Sequence, residues 1–313
     1  MPVVDAHCDT LTVLSQQNRT LGVQSSRGHL DLPRLRKGGI DVQFFAIFVG
    51  PECNTNPVDY TNEIITLFKK EINMNRSLIE HVRCYGDIEN TLQKKKTSAV
   101  LTIEGGEALN GKVEQLDVYY NLGVRGLTLT WNGRNELADG VGMGPEATGL
   151  TQLGRQVVQR MAALGMMIDV SHLAEPGFWD VIREVKTPVS ATHSNCRQLC
   201  DHPRNLTDEQ IKAIAESGGV IGVTYVPQFI DANKPSIDRL LDHIDHIYKI
   251  GGISCIGLGS DFDGIDFTTE GLHDASVAVP NIERALSKRG YKAGEIEKII
   301  GNNWLRLFKE VCG

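Results

Sequence analysis

The 313-residue chain is 41% hydrophobic and 23% charged, the composition of a globular protein with enough apolar content for a large core. Its formal net charge is −7 and its longest basic run is Lys94-Lys95-Lys96, read as a solvated helix end, so it lacks the concentrated positive surface that a nucleic-acid partner requires. The opening Met-Pro-Val-Val-Asp has no basic or membrane-spanning segment, and the seven cysteines are scattered without a Cys-x-x-Cys pair; together these predict a cytoplasmic chain beginning near Met1, with reduced thiols and no membrane partner.

In chain order, short β-branched or apolar runs that end in polar or small residues predict strands over Val3 to Asp9, Val42 to Val49, Ala99 to Glu104 and Val124 to Thr130. The pattern continues over Met166 to His172, Val189 to His193, Val220 to Tyr225 and Cys255 to Asp261. Helical spacing falls between them, over Asn62 to Val82, Leu150 to Leu164, Asp208 to Ser217 and Ile237 to Ile250. Thr207 and Ser236 are the expected caps of the last two, and Asn281 to Val311 reads as closing helices. Eight strands alternating with helices over roughly 260 residues have the rhythm of an α/β fold of the (β/α)8 TIM-barrel type, in a single domain spanning 1–313. The competing doubly wound sheet would carry a Gly-x-Gly-x-x-Gly turn after an early strand, and none is present.

Ionisable residues gather at the ends of these strands. His7 and Asp9 end the first, Glu104 the third, His172 the fifth, His193 the sixth and Asp261 the eighth. In a TIM barrel those ends share one face, where the active site sits. Residues two apart on a strand point the same way, so His7 and Asp9 can meet one ion while Cys8 points away. Taken singly, each has a plainer role: Asp261 and Asp263 as turn residues before Gly264, Glu104 as the start of a loop. Taken jointly, buried charges this close would repel unless a cation neutralised them. Imidazole and carboxylate without thiolate suit catalytic zinc, with manganese or cobalt as substitutes. His243 and His246 read as a solvated helix face, and Cys196 and Cys200 as packing thiols.

The motifs resemble those of the membrane (renal) dipeptidases, the M19 metallopeptidases. The resemblance runs through Val4-Asp5-Ala6-His7-Cys8-Asp9-Thr10, Asp31-Leu32-Pro33-Arg34-Leu35-Arg36-Lys37-Gly38-Gly39, Ile103-Glu104-Gly105-Gly106 and Asp169-Val170-Ser171-His172. It continues through Thr192-His193-Ser194-Asn195, Arg204-Asn205, Gly259-Ser260-Asp261-Phe262-Asp263-Gly264 and Gly301-Asn302-Asn303-Trp304-Leu305-Arg306, in family order over nearly the whole chain. It implies two zinc ions per chain, with His7 and Asp9 on one, His172 and His193 on the other, and Glu104 bridging. It further implies Asp261 as the catalytic aspartate, Arg204 as the anchor for the substrate's terminal carboxylate, and Phe229 as an aromatic pocket wall. Where mammalian members carry a substrate-contacting histidine this chain has Trp131, and Asn132 is the candidate to stabilise the tetrahedral intermediate through its amide. Without the disulfides and lipid anchor of eukaryotic members, the chain resembles a bacterial, soluble relative; a homodimer is what the resemblance suggests.

The implied activity is hydrolysis of dipeptides, those with a C-terminal D-residue included, by a hydroxide held between the two zinc ions, with Asp261 moving the proton. Arg204 would limit substrates to those ending just past the scissile bond. Two rival readings are an amidohydrolase-type binuclear hydrolase of cyclic amides or esters, and an inactive barrel that only binds. The first commonly shows His-x-His on strand one and a lysine at strand four, whereas this chain has His7-Cys8-Asp9 and no lysine there; the second is expected to lose ligands, which are intact here.

Overall fold

The structure, a computed structural model, describes residues 2–50, 53 and 55–313. Nine parallel strands are β1 (Val4–Asp5), β2 (Val42–Phe48), β3 (Ile79–His81), β4 (Thr97–Glu104), β5 (Val124–Thr128), β6 (Met167–Asp169), β7 (Val189–Ser190), β8 (Ile221–Val223) and β9 (Ile256–Leu258). The sheet runs β7-β6-β5-β4-β2-β1-β9-β8, and a parallel bridge between Ala191 and Ile221 brings its two edges together. This is the expected (β/α)8 barrel, with β3 an extra strand paired only to the outer part of β4.

Parallel barrel strands are buried on both faces, which is why they read as unbroken apolar runs. Along β4 the side chains alternate: Leu101 and Ile103 pack toward the helices, whereas Val100 packs with Phe44 and Trp304 inside the barrel. Glu104, two residues beyond Thr102, continues the inner face at the upper rim. The bottom is sealed by the C-terminal helix Asn303–Cys312, whose Trp304 is fully buried and donates from Nε1 to the Leu258 carbonyl at 3.0 Å. Gly257 makes room for that indole, since a Cβ there would lie 2.1 Å from Trp304 Nε1. The barrel is thus closed by hydrocarbon below and left polar above.

Three sequence expectations change. The helix expected over Asn62 to Val82 is Pro57–Met74, begun by Asn56, whose Oδ1 accepts from Val58 and Asp59 N–H, and the tail of the expected span becomes β3. The strands are also shorter than the apolar runs: β1 stops at Asp5, β6 at Asp169, β7 at Ser190 and β9 at Leu258. His7, His172, His193 and Asp261 therefore stand two or three residues past the ends of their strands, where isolated backbone bonds such as Asp261 N–H to the His7 carbonyl at 3.2 Å and Val170 N–H to the Ser190 carbonyl at 2.8 Å still hold the segments that carry them. His243 is not solvated; it is fully buried, accepting from Cys196 N–H at 3.1 Å and donating to the Ile230 carbonyl at 2.8 Å. The caps at Thr207 and Ser236 form as expected.

Trp304→Ala is expected to lower unfolding free energy by about 3–5 kcal/mol, the usual cost of emptying a large buried aromatic site, as read from chemical denaturation.

Candidate active site

The six residues at the strand ends converge. His7 Nε2 lies 3.5 Å from Asp9 Oδ2, 3.4 Å from Glu104 Oε2 and 3.8 Å from Asp261 Oδ1. On the other side, His172 Nε2 lies 2.8 Å and His193 Nε2 3.6 Å from Glu104 Oε1, and the two ring nitrogens are 2.9 Å apart. The two oxygens of Glu104 therefore face two different groups of side chains. Every one of the five expected metal residues is buried, with 7% exposure at most.

Hydrogen-bond accounting shows what belongs between them. His172 Nδ1 is engaged with Asn132 Oδ1 at 2.8 Å and His193 Nδ1 with Thr192 Oγ1 at 2.8 Å, so in both rings Nε2 is the bare nitrogen. Those bare nitrogens meet each other and a carboxylate oxygen, which places acceptors against acceptors. His7 Nε2 and Asp9 Oδ1 have no hydrogen-bond partner among the described residues. Lone pairs aimed at one another in a buried site are stabilised by a cation between them, so the donor set fits metal. His7, Glu104 and His193 form one group of ligand atoms lying within 4.8 Å of one another, and His7, Asp9 and Asp261 a second.

Asp261 hangs on a strained loop. Its φ is +65° and that of Asp263 is +68°, left-handed values rare for residues other than glycine and concentrated at functional sites. Asp263 anchors the loop: its carboxylate accepts from Arg19 Nη2 at 2.6 Å, Thr10 Oγ1 at 2.7 Å and His29 N–H at 2.6 Å. Burial pushes the Asp261 carboxyl well above the ordinary carboxylate range, with the negative charges of Asp9 and Glu104 adding to the rise and His7 and Arg204 opposing it. Glu104 goes the other way: burial would raise it, but the neighbouring imidazoles of His7 and His172 hold it well below the usual range.

These residues floor a cavity of about 650 Å³ whose lining includes Asp9, Glu104, Trp131, Asn132, His172, Arg204, Phe229 and Asp261. Arg204 is 4% exposed; it donates to the His193 carbonyl at 3.0 Å and the Ser194 hydroxyl at 3.4 Å, and its Nε has no partner among the described residues. Burial lowers its pKa to about 10, against the pull of Asp261, Glu104 and Asp169. The Phe229 ring lies 5.5 Å from the guanidinium. Asn205 ties the two loops together by donating from Nδ2 to the carbonyls of Cys200 and Phe229, both at 2.9 Å.

Some contributors escaped the sequence reading. Asp169 lay within an expected strand and Thr192 beside a more conspicuous histidine, yet both sit under the site. Gly264 is another: a Cβ there would lie 2.2 Å from Asp9 Oδ2 and 2.6 Å from Asp261 Oδ1. Its signal was its place directly after Asp261-Phe262-Asp263.

The sequence profile of the membrane dipeptidases, peptidase family M19, matches residues 1–312. The chain belongs to the membrane dipeptidase family. It is accordingly a metallopeptidase of dipeptidase type, and the ligand cluster is where the metal of that family fits. An uncharacterized dipeptidase of Schizosaccharomyces pombe is 32% identical, the match covering 98% of this chain and 80% of that one. A Klebsiella pneumoniae protein described only as uncharacterized, from the pqqA 5′ region, is 35% identical over 82% of this chain and 97% of its own. Among solved structures, a metallopeptidase from Rhodobacter sphaeroides, liganded with a phosphinate mimic of L-Ala-D-Ala, superposes with a TM-score of 0.92 at 28% identity, covering 99% of both chains. Another M19 dipeptidase structure gives 0.92 at 29% identity, covering 100% of this chain and 99% of that one.

Gly264→Ala is expected to lower divalent-metal affinity by about tenfold or more, the scale on which groups that orient ligands act. Equilibrium dialysis checks this, with an unchanged far-ultraviolet circular dichroism spectrum showing that the barrel persists.

Proposed function

We propose that this dipeptidase cleaves dipeptides, including those with a C-terminal D-residue, at a centre of two zinc ions. The observation that carries the reading is the divided Glu104 carboxylate, one oxygen toward His7 and the other toward His172 and His193. His7 and Asp9 would hold one ion, His172 and His193 the other, and Glu104 both. Two ions so held supply Lewis-acid activation of a water and of the scissile carbonyl.

The chain's own groups do the rest. Asp261, raised toward protonation by burial and held by its strained loop, takes the proton released by the attacking water and returns it to the departing amine. Arg204 is a desolvated cation that lines the cavity, its Nε without a partner among the described residues, and it pairs with the substrate's terminal carboxylate. Phe229 walls that end. Asn132 spends its Oδ1 on His172, so its Nδ2 is the atom left to donate to the substrate. A C-terminal D-residue is supported by the L-Ala-D-Ala mimic bound to the R. sphaeroides relative. The seven unpaired cysteines favour a reducing compartment, and among the described residues no helix is long and apolar enough to cross a membrane.

Two measurements test this reading. Asp261→Asn should retain metal and lose turnover by roughly two to four orders of magnitude, as expected of a general acid–base group; a near-normal kcat would remove the proton-carrying role. Amidating the C-terminus of L-Ala-D-Ala should lower kcat/KM by about a hundredfold through loss of the Arg204 pair. Equal rates on the free dipeptide and its amide would contradict the dipeptide reading.

A further inference from the structure

Beneath the centre lies a buried network that holds the histidines rather than the substrate. Asp169, at the end of β6, accepts five hydrogen bonds: from Thr128 Oγ1 at 2.6 Å, Ser171 N–H at 3.0 Å, Ser171 Oγ at 2.7 Å, Thr192 N–H at 2.9 Å and Thr192 Oγ1 at 2.6 Å. A carboxylate so surrounded can only accept, so the one proton of the Thr192 hydroxyl is committed to it. The remaining lone pairs of Thr192 Oγ1 face two rings: His193 Nδ1 at 2.8 Å and His7 Nδ1 at 3.4 Å. Those rings stack with centroids 3.8 Å apart.

We propose that Thr192, clamped by Asp169, is a shared positioning residue that orients His7 and His193 together and thereby couples the two halves of the metal centre. Because Thr192 can only accept from the rings, each must present Nδ1–H downward, and each Nε2 lone pair is turned up into the centre. In the two-ion arrangement, on which this inference rests, His7 and His193 serve different ions, so a single hydroxyl governs both. Asn132 is the contrast, since it touches only His172. The backbone of Thr192 is equally confined: a Cβ on Gly222 or Gly259 would lie 2.0 or 1.8 Å from its carbonyl oxygen, so only glycine at both positions admits it. A purely structural tie between β6 and β7 needs no more than the Thr192 N–H bond to Asp169; the hydroxyl's placement between two rings exceeds that need.

The test compares Thr192→Val, which keeps the shape and removes the hydroxyl, with Thr192→Ser, which keeps the hydroxyl, in zinc-loaded full-length protein. Chelator competition reads zinc affinity, and proton NMR with 15N-labelled histidine reads the Nδ1–H signals of His7 and His193. The expected result is that Thr192→Val weakens both zinc ions by about tenfold or more each and loses or shifts both Nδ1–H signals, that Thr192→Ser restores both, and that Asn132→Ala weakens one ion only. Wild-type affinity for either ion in Thr192→Val, or a Thr192→Ser protein as impaired as Thr192→Val, would overturn the proposal. Wild-type protein that holds a single zinc would count against the two-ion reading instead, and the ring signals would still decide whether Thr192 orients both histidines.

Discussion

Three carboxylates and three imidazoles face one another across contacts of 2.8 to 3.8 Å at the top of a barrel whose base is apolar. In water such a cluster would be unremarkable, but five of the six residues here are less than a tenth exposed. The carboxylates of Asp9, Glu104 and Asp261 repel one another, and buried charges of one sign so close together are costly unless a cation neutralises them. Protons can relieve only part of the conflict, because Asn132 and Thr192 already bind the Nδ1 side of His172 and His193 and turn their lone pairs inward. Positive charge has to come from elsewhere. Most other features of the site follow from the need to hold that charge in place.

The barrel satisfies this need by dividing its interior. Trp304, Phe44 and Phe308 fill the lower end, with ring centroids about 6 Å apart, so the base is rigid and dry. Above, the regular strands end early on β1, β6, β7 and β9, and the segments that follow carry the candidate metal residues inward. The polar groups that would otherwise be stranded there are paired in layers. Asp5 accepts from Ser260 N–H and Oγ, Asp169 takes the Thr128, Ser171 and Thr192 groups, and Asp263 takes Arg19 and Thr10. Each buried carboxylate below the metal ligands thus has its own donors, which keeps it from competing for the ion.

Much of this was legible in the sequence because parallel barrel strands and metal ligands leave strong local signals. Five of the eight apolar runs end in the ionisable residues His7, Asp9, Glu104, His172, His193 and Asp261, and the structure brings all six together. Strand lengths were not legible, since the residues past each ladder stay buried and apolar, as Val170 and Ala191 are. The strand β3 hid because Ile79 to His81 extends the helical spacing of the preceding segment by chance. His243 looked solvated from its acidic neighbours Asp242 and Asp245, yet helix Ile237–Gly251 turns it to the inner face beside Leu240 and Ile244. Asp169 and Thr192 were silent for another reason: their importance lies in whom they touch, and contacts across β6, β7 and β1 have no sequence spacing to reveal them.

In the proposed centre one carboxylate, Glu104, joins two metal sites. Elemental analysis of zinc in purified wild-type protein and in Glu104→Gln tests it most directly. Gln keeps the shape but replaces one charged oxygen with an amide nitrogen that cannot accept, so on the proposed arrangement both sites would lose a ligand charge and one its ligand atom. The account predicts two zinc ions per chain in the wild type and substantial loss from both sites in Glu104→Gln, with the fold intact. Two zinc ions per chain retained by Glu104→Gln would contradict it.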